Sequence, residues 1–448
     1  MRGVWSTIGL VLVLAGLSAY IYFVTWKKPA ADAGDSKQEK VFASVQADKI
    51  DELRVKSETG DVTTLKKIGD GWQLLEPVAA RADASQVSSI TTSLGSIAVK
   101  RVVDESPSDL KEYGLASPRI DVGFKTPGDK DFRRLLIGEK TPTGADLFAK
   151  QASDKRVFLI PSSDESTFNR STFDLRDKTL ITFDRDKVDS IEVLAGGKLL
   201  RIAKDGTEWK IAQPLQARGD HGSIEGLIGR LQTLQMKSIV AEDPSPADLK
   251  KYGFDKPATT FHLHMGSARA TLLVGGKADD GAAYARDASR PGVMTIDGSF
   301  ADDLKKGAGD YRRKDIFEFR AFNATRLEVT RSGQTVVFER VKNKDAPDTW
   351  RRVSPNAAEV DREKMEILLS KLANLRAASF VESTAKTGLD SPAMTVLVKF
   401  DEGKKEERIA FGKTDADVYA SRPGEPGAPK IDATDFNEAV KALDEMSK

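Results

Sequence analysis

The sequence predicts an α+β protein: an N-terminal transmembrane helix followed by three tandem α+β repeats, each an antiparallel sheet with one long amphipathic helix. Three observations predict it. Residues Val4 to Trp26, 23 in number, carry no charge. Three tryptophans, Trp72, Trp209 and Trp350, stand 137 and 141 residues apart. The same series of helix and strand markers follows each of them. Composition narrows the chemistry further. The 448 residues hold 69 Lys+Arg and 68 Asp+Glu, a net charge of +1, so the basic surplus of a nucleic-acid binder is absent. A hydrophobic share of 40% supplies packed cores. The lack of cysteine excludes disulfides, thiolate catalysis, iron–sulfur clusters, thiolate zinc sites and a lipidated N-terminal Cys.

The first element is the apolar run. At 1.5 Å per residue it makes a helix about 34 Å long, enough to span hydrocarbon. Trp5 and Trp26 lie near its ends with Tyr20 and Tyr22, where aromatic rings favour the headgroup level. Ala31-Asp32-Ala33 has the form of a signal-peptidase site, but the run exceeds the usual apolar region of a cleaved signal. An uncleaved anchor over residues 1–28 is therefore expected. Lys27-Lys28 on its C-terminal side favour a cytoplasmic bulk. The missing cysteines suit an extracytoplasmic one, and that placement is preferred. Residues 29–40, rich in Ala, Asp, Gly and Lys, read as a flexible tether.

The repeat elements follow in order, with units expected at 41–178, 179–314 and 315–448. A first strand (Leu53-Val55, Ile191-Val193, Leu327-Val329) pairs through short turns with a second and a third. The third carries the tryptophan and stops at Pro77, Pro214 or Pro355. Asp83, Asp220 and Asp361 then stand as N-caps, since a carboxylate satisfies the free N–H groups of a first helical turn. The helix stripes are Val87-Ile90-Leu94-Ile97, Ile224-Leu227-Leu231-Leu234 and Met365-Leu368-Leu372-Leu375, one apolar face each. Tyr113-Gly114-Leu115 recurs as Tyr252-Gly253-Phe254 and, weakened, as Thr387-Gly388-Leu389. Pro118, Pro257 and Pro392 open alternating strands, and Ile137-Gly138, Val274-Gly275 and Phe411-Gly412 lie in later ones. A short helical segment closes each unit. Arg176-Asp177-Lys178 and Arg312-Arg313-Lys314 mark short junctions, which predicts a rigid stack.

The catalytic patterns fall away against this period. Gly412-Lys413-Thr414 resembles the end of a phosphate loop, but the required upstream glycine is Glu407. His262 and His264 share one face of a strand and are the candidate metal pair. Their neighbours Phe261 and Leu263 occupy core positions, which leaves the histidines on the solvent-tolerant face without a visible third ligand. His221 follows a cap and is expected at the surface. Asp104, Glu105, Glu242 and Asp243 read as solvated loop charges. No nucleophile elbow is present, and Ser108 to Lys111 lacks the companion motifs of a serine–lysine acyl enzyme. The basic cluster Arg312-Arg313-Lys314 beside Tyr311 is expected to be a solvated junction, because Asp310, Asp315 and Glu318 flank it. No pocket is expected to gather polar groups from more than one unit.

The anchor, the tripled unit of about 136 residues and the element running from Tyr113 to Pro118 and from Tyr252 to Pro257 resemble a bacterial family, domain of unknown function 4340. The resemblance covers essentially the whole chain. It implies a single-pass envelope protein of the inner membrane with a periplasmic bulk, encoded beside an ABC ATPase, a permease and a gliding-motility-type auxiliary transporter subunit. It brings no catalytic residue, cofactor or metal. The expected function is a non-catalytic accessory or scaffold subunit of an ABC-type transporter complex. The alternative is an independent envelope module that binds cell-wall glycan or another envelope protein.

Overall fold

A computed structural model describes residues 39–43, 45–344, 347–415 and 417–446. The expected anchor, with Val4, Trp5 and Trp26, and most of the expected tether lie outside the described residues. Among the described residues, no helix is long and apolar enough to cross a membrane. The described residues up to Asp177 form one compact unit, and those from Lys178 form a second.

The first unit holds one antiparallel sheet of nine strands. In chain order these are β1 (Glu52–Lys56), β2 (Val62–Ile68), β3 (Gly71–Glu76), β4 (Ala80–Arg81), β5 (Arg101–Asp104), β6 (Ile120–Lys125), β7 (Arg133–Lys140), β8 (Asp146–Gln151) and β9 (Val157–Pro161). Their spatial order is β4-β3-β2-β1-β6-β7-β8-β9-β5. Helix α1 (Ala84–Ser96) lies between β4 and β5 in the chain, and α2 (Glu165–Phe168) and α3 (Thr172–Leu175) follow β9. Period-two burial puts Leu53 and Val55 of β1 into the core beside Val122 and Phe124 of β6. Val87, Ile90 and Leu94 of α1 pack on the same cluster. Truncating one such leucine to alanine costs about 2–5 kcal/mol.

The second unit repeats the design twice. Its first sheet comprises β10 (Ser190–Ala195), β11 (Lys198–Asp205), β12 (Glu208–Gln213), β13 (Ala217–Arg218), β14 (Ser238–Ala241), β15 (Thr259–Met265), β16 (Ala268–Lys277), β17 (Ala282–Asp287) and β18 (Val293–Asp297). Its helices are α4 (His221–Gln232), α5 (Pro246–Lys251), α6 (Gly298–Asp303) and α7 (Ala308–Tyr311). The last sheet comprises β19 (Ala324–Arg331), β20 (Gln334–Val341), β21 (Thr349–Ser354), β22 (Ala358–Val360), β23 (Ala377–Val381), β24 (Met394–Phe400), β25 (Lys405–Lys413), β26 (Val418–Ser421) and β27 (Ala428–Ile431), with helices α8 (Arg362–Ala373) and α9 (Ala433–Met446). Both sheets have the strand order of the first. The predicted α+β class and threefold repetition are thus present. One detail differs from one long helix per repeat. In the last repeat the closing segment is a second long helix, α9, whose Phe436, Ala439 and Leu443 join the core.

Edge pairing explains how one repeat hands over to the next. In the first unit, Ala82 bridges Arg176, and the Asp177 N–H donates to the Arg81 carbonyl at 2.9 Å. At the opposite edge Lys40 bridges Ala98, and the Val99 N–H donates to Glu39 at 2.7 Å. In the second unit, Gly219 bridges Arg312, and the Arg313 N–H donates to the Arg218 carbonyl at 2.9 Å. Two residues on, the Ala377 N–H donates to the Lys314 carbonyl at 2.8 Å, and Asp315 bridges Arg376. The segment Arg312–Ile316 is therefore a strand shared by the edges of the second and third sheets.

Candidate functional site

Most of the sequence markers occupy structural posts. Asp83 accepts from the Ser85 and Gln86 N–H groups, Asp220 from Ser223 and Asp361 from Lys364, each capping its helix. The peptide bonds before Pro77, Pro214 and Pro355 are all cis. Trp209 is buried and its indole N–H donates to Glu225 at 2.9 Å, Trp350 lies under the Arg340 guanidinium at 5.3 Å, and Trp72 is half-buried on the core.

The two glycine markers turn out to be one feature. Gly114, Gly253 and Gly388 have φ of 67°, 84° and 73°, a left-handed backbone that favours glycine. The turn each makes lies against a strand glycine. A Cβ on Gly138, Gly275 or Gly412 would stand 2.0, 2.2 or 2.3 Å from the carbonyl oxygen of Tyr113, Tyr252 or Thr387. Gly412-Lys413 therefore ends a strand packed on a turn. The Tyr113 ring stacks edge-on with Phe148 at 5.2 Å and Tyr252 meets Tyr284 at 4.7 Å.

His262 and His264 lie on β15 with ring centroids 6.2 Å apart. His262 Nδ1 is 2.8 Å from the Thr271 hydroxyl, and His264 Nε2 is 3.2 Å from the Glu192 carboxylate. Burial and then Arg269 hold the His262 pKa below its ordinary value, against the pull of Glu192. Among the described residues no group of three His, Cys, Asp or Glu side chains is placed to hold a metal. Asp104, expected in a loop, is the last residue of β5 and accepts from the Ser106 N–H at 2.9 Å, and His221 is exposed.

The densest polar arrangement is one the sequence reading placed in solvent. Arg312 is only 2% exposed, which corrects the expectation of a solvated junction. Its guanidinium lies 4.1 Å from the centroid of the Phe380 ring and donates to the Pro426 carbonyl at 3.3 Å. Burial lowers its pKa, opposed by Glu425 and helped by Arg218. Beside it, burial pushes the Tyr311 phenol up to about 12. Arg218 pairs with Glu425, donates to Glu318 at 3.2 Å and donates to the Asp315 carbonyl at 3.2 Å. Glu407, 5% exposed, accepts the Glu318 and Phe319 N–H groups at 3.0 and 2.9 Å and an Arg422 N–H at 2.7 Å. Arg422 also donates to the Ile316 carbonyl at 2.8 Å. The first two repeats place Gln151 on the Val41 carbonyl and Arg290 on the Leu180 carbonyl in the same role.

Two cavities flank this network. One, of about 290 Å³, brings Lys198, Lys305, Lys306 and Arg312 together with Phe380, Val381 and Glu382. The other, of about 450 Å³, brings Lys204, Lys210 and Arg218 together with Arg422 and Glu425. Both gather polar groups from two repeats, contrary to the sequence expectation. The reason is the shared strand, which brings residues as far apart in sequence as Lys204 and Arg422 onto one seam. Neither cavity contains His262 or His264. No local pattern announces the seam. Glu407 pairs across from Val398, as Ala270 does with Leu263 and Arg133 with Phe124, so the three copies differ there and the period is silent.

The profile of one protein family, described as "Domain of unknown function (DUF4340)", matches residues 72–216, 209–387 and 350–448. No curated protein matches the chain. Among solved structures, a DNA polymerase sliding clamp from Pseudomonas aeruginosa with ligand is 11% identical, with 88% of this chain and 93% of the clamp covered and a TM-score of 0.16. A DnaN sliding clamp from the same organism bound to griselimycin is 12% identical over 85% of this chain and 92% of the clamp, again with a TM-score of 0.16. At that score neither likeness bears on fold or function.

Proposed function

This chain belongs to the DUF4340 family, and from that premise we propose that it is a non-catalytic, single-pass, membrane-anchored scaffold subunit of an ABC-type transporter complex, with its bulk outside the cytoplasm. The observation that carries the reading is how the seam between the second and third repeats uses its charges. Arg218 and Arg312 reach from the second repeat to Glu318, Phe380, Glu425 and Pro426 of the third and hold the two in register, while Glu407 and Arg422 fasten the opening segment of the third repeat. A platform that keeps its spacing is what a scaffold needs, and stacked repeats offer extended surface for partners. The anchor places that platform beside a permease in the same bilayer. The alternative, a glycan-binding envelope module, calls for exposed aromatics on equivalent loops. Among the described residues Phe322, 76% exposed, is the single exposed aromatic, so the geometry favours the scaffold.

Mild-detergent co-purification from native membranes, with partners identified by mass spectrometry, tests this. Stoichiometric recovery of an ABC ATPase and permease is expected. Exchanging residues 1–28 for a cleavable signal should release the folded repeats from that assembly. Recovery of intact protein alone, or association that survives loss of the anchor, would overturn the corresponding part.

A further inference from the structure

The repeats predict what belongs on the outer edge of β22. In the two earlier copies that edge is occupied. The carbonyls of Arg81 and Arg218 accept the Asp177 and Arg313 N–H groups, and the N–H groups of Asp83 and Asp220 donate to the carbonyls of Leu175 and Tyr311 at 2.8 and 2.7 Å. Glu359 and Asp361 are the matching positions of the last copy, because Asp361 is the helix cap that Asp83 and Asp220 are. There β22 is the terminal strand, and no described residue bonds to its outer side. Gly219 is buried under Arg312 and Ala82 is half-exposed beside Arg176, and Val360 at the matching position is half-exposed with no such partner among the described residues.

The complementary half sits at the other end of the same chain. Glu39 accepts from Val99 as Lys178 accepts from Met236 and Lys314 from Ala377. The Val41 N–H donates to Ile97 as Leu180 does to Leu234 and Ile316 to Leu375. By that register Lys37 and Gln38 correspond to Arg176-Asp177 and Arg312-Arg313, the residues that cover the preceding edge. We propose that the β22 edge takes the 37–38 segment of a second copy of this chain, in the antiparallel register Val360 opposite Lys37, to give a head-to-tail assembly. The contact is heterologous, so copies close into a ring or grow as a file. Its core is main-chain pairing of the kind that extended segments make when they add to a sheet edge.

The chain has no cysteine, so introduced thiols report the register cleanly. Two differently tagged full-length proteins in detergent, one Lys37→Cys and one Val360→Cys, are mixed and oxidised. Directly opposed residues of an antiparallel pair lie within disulfide reach. The expected result is a reducible product carrying both tags, about tenfold more abundant than with Glu359→Cys, whose side chain leaves the sheet on the other face. Light-scattering mass of the cysteine-free protein should exceed that of one chain and fall to it in Glu359→Pro, which caps an edge without entering the core. A single-chain mass at all concentrations, or equal yields for Val360→Cys and Glu359→Cys, would overturn the proposal. Both readouts use purified protein, so failure to find transporter subunits leaves them unaffected.

Discussion

Replacing Glu407 with alanine tests how the third repeat is fastened just beyond the seam. The carboxylate is nearly sealed from solvent and accepts the N–H groups of Glu318 and Phe319 along with Arg422. Its loss orphans two backbone donors and leaves the Arg422 guanidinium, whose Nε has no hydrogen-bond acceptor, with only the more distant Glu425 carboxylate at 3.9 Å. Removing one partner of a buried pair costs about 3–5 kcal/mol. At 1.36 kcal/mol per decade, amide protection around residues 316–320 should fall by about a hundredfold or more. Hydrogen exchange read by mass spectrometry on the full-length protein measures this, with peptides from β15, in the same compact unit but the neighbouring repeat, as the control for unfolding of that unit. Glu407→Gln keeps an acceptor oxygen and should lose about one decade. Unchanged protection in Glu407→Ala, with β15 also unchanged, would refute the claim that this carboxylate fastens residues 316–319 to the third sheet.

Other consequences follow from the repeated posts. Gly275→Ala should lower the thermal transition by several degrees, because its Cβ would sit 2.2 Å from the Tyr252 oxygen, while Gly276→Ala, at 3.6 Å, should leave it unmoved. Equal transitions for the two variants would remove the interlock argument. Asp220→Ala should cost about 1 kcal/mol as a lost cap. Burial pushes the Asp220 carboxyl up, but its bonds with Ser223 and the nearby charges of Arg376 and Lys314 together outweigh that and leave it below its ordinary value. Its stabilisation is therefore full above the ordinary aspartate value and is lost as pH falls through the lowered one, so acid melts of wild type and variant should converge below about pH 4. His262 is held low by burial and Arg269, so its neutral form is favoured in the fold and stability drains away as pH drops below about 6.5. An imidazole NMR midpoint at or above the free-peptide value would contradict this.

The repeat was legible because its posts are local: a tryptophan, a cap and an apolar stripe recur at nearly one period, and each depends on residues a few positions away. The Tyr-Gly turn and the strand glycine were both visible, but their contact joins residues 25 apart in the first copy, Tyr113 and Gly138, and spacing does not encode touch. The seam was illegible for a stronger reason. Arg312 finds Phe380, Glu425 and Pro426 far downstream, so its immediate neighbours Asp310 and Asp315 suggested a hydrated charge cluster where the fold buries a cation. The long α9 was hidden because the other two copies break the same stretch into short helices.

The shared strand separates two boundaries that repeat proteins are usually assumed to keep together. Arg312 and Arg313 serve the sheet behind them, and Lys314 onward serves the sheet ahead. A copy gained or lost by a cut between those residues keeps each sheet the product of a single repeat, whereas a cut at the tryptophans builds a hybrid sheet from parts of two. The polar tripeptide is therefore the phase at which copy number can change without mixing two cores.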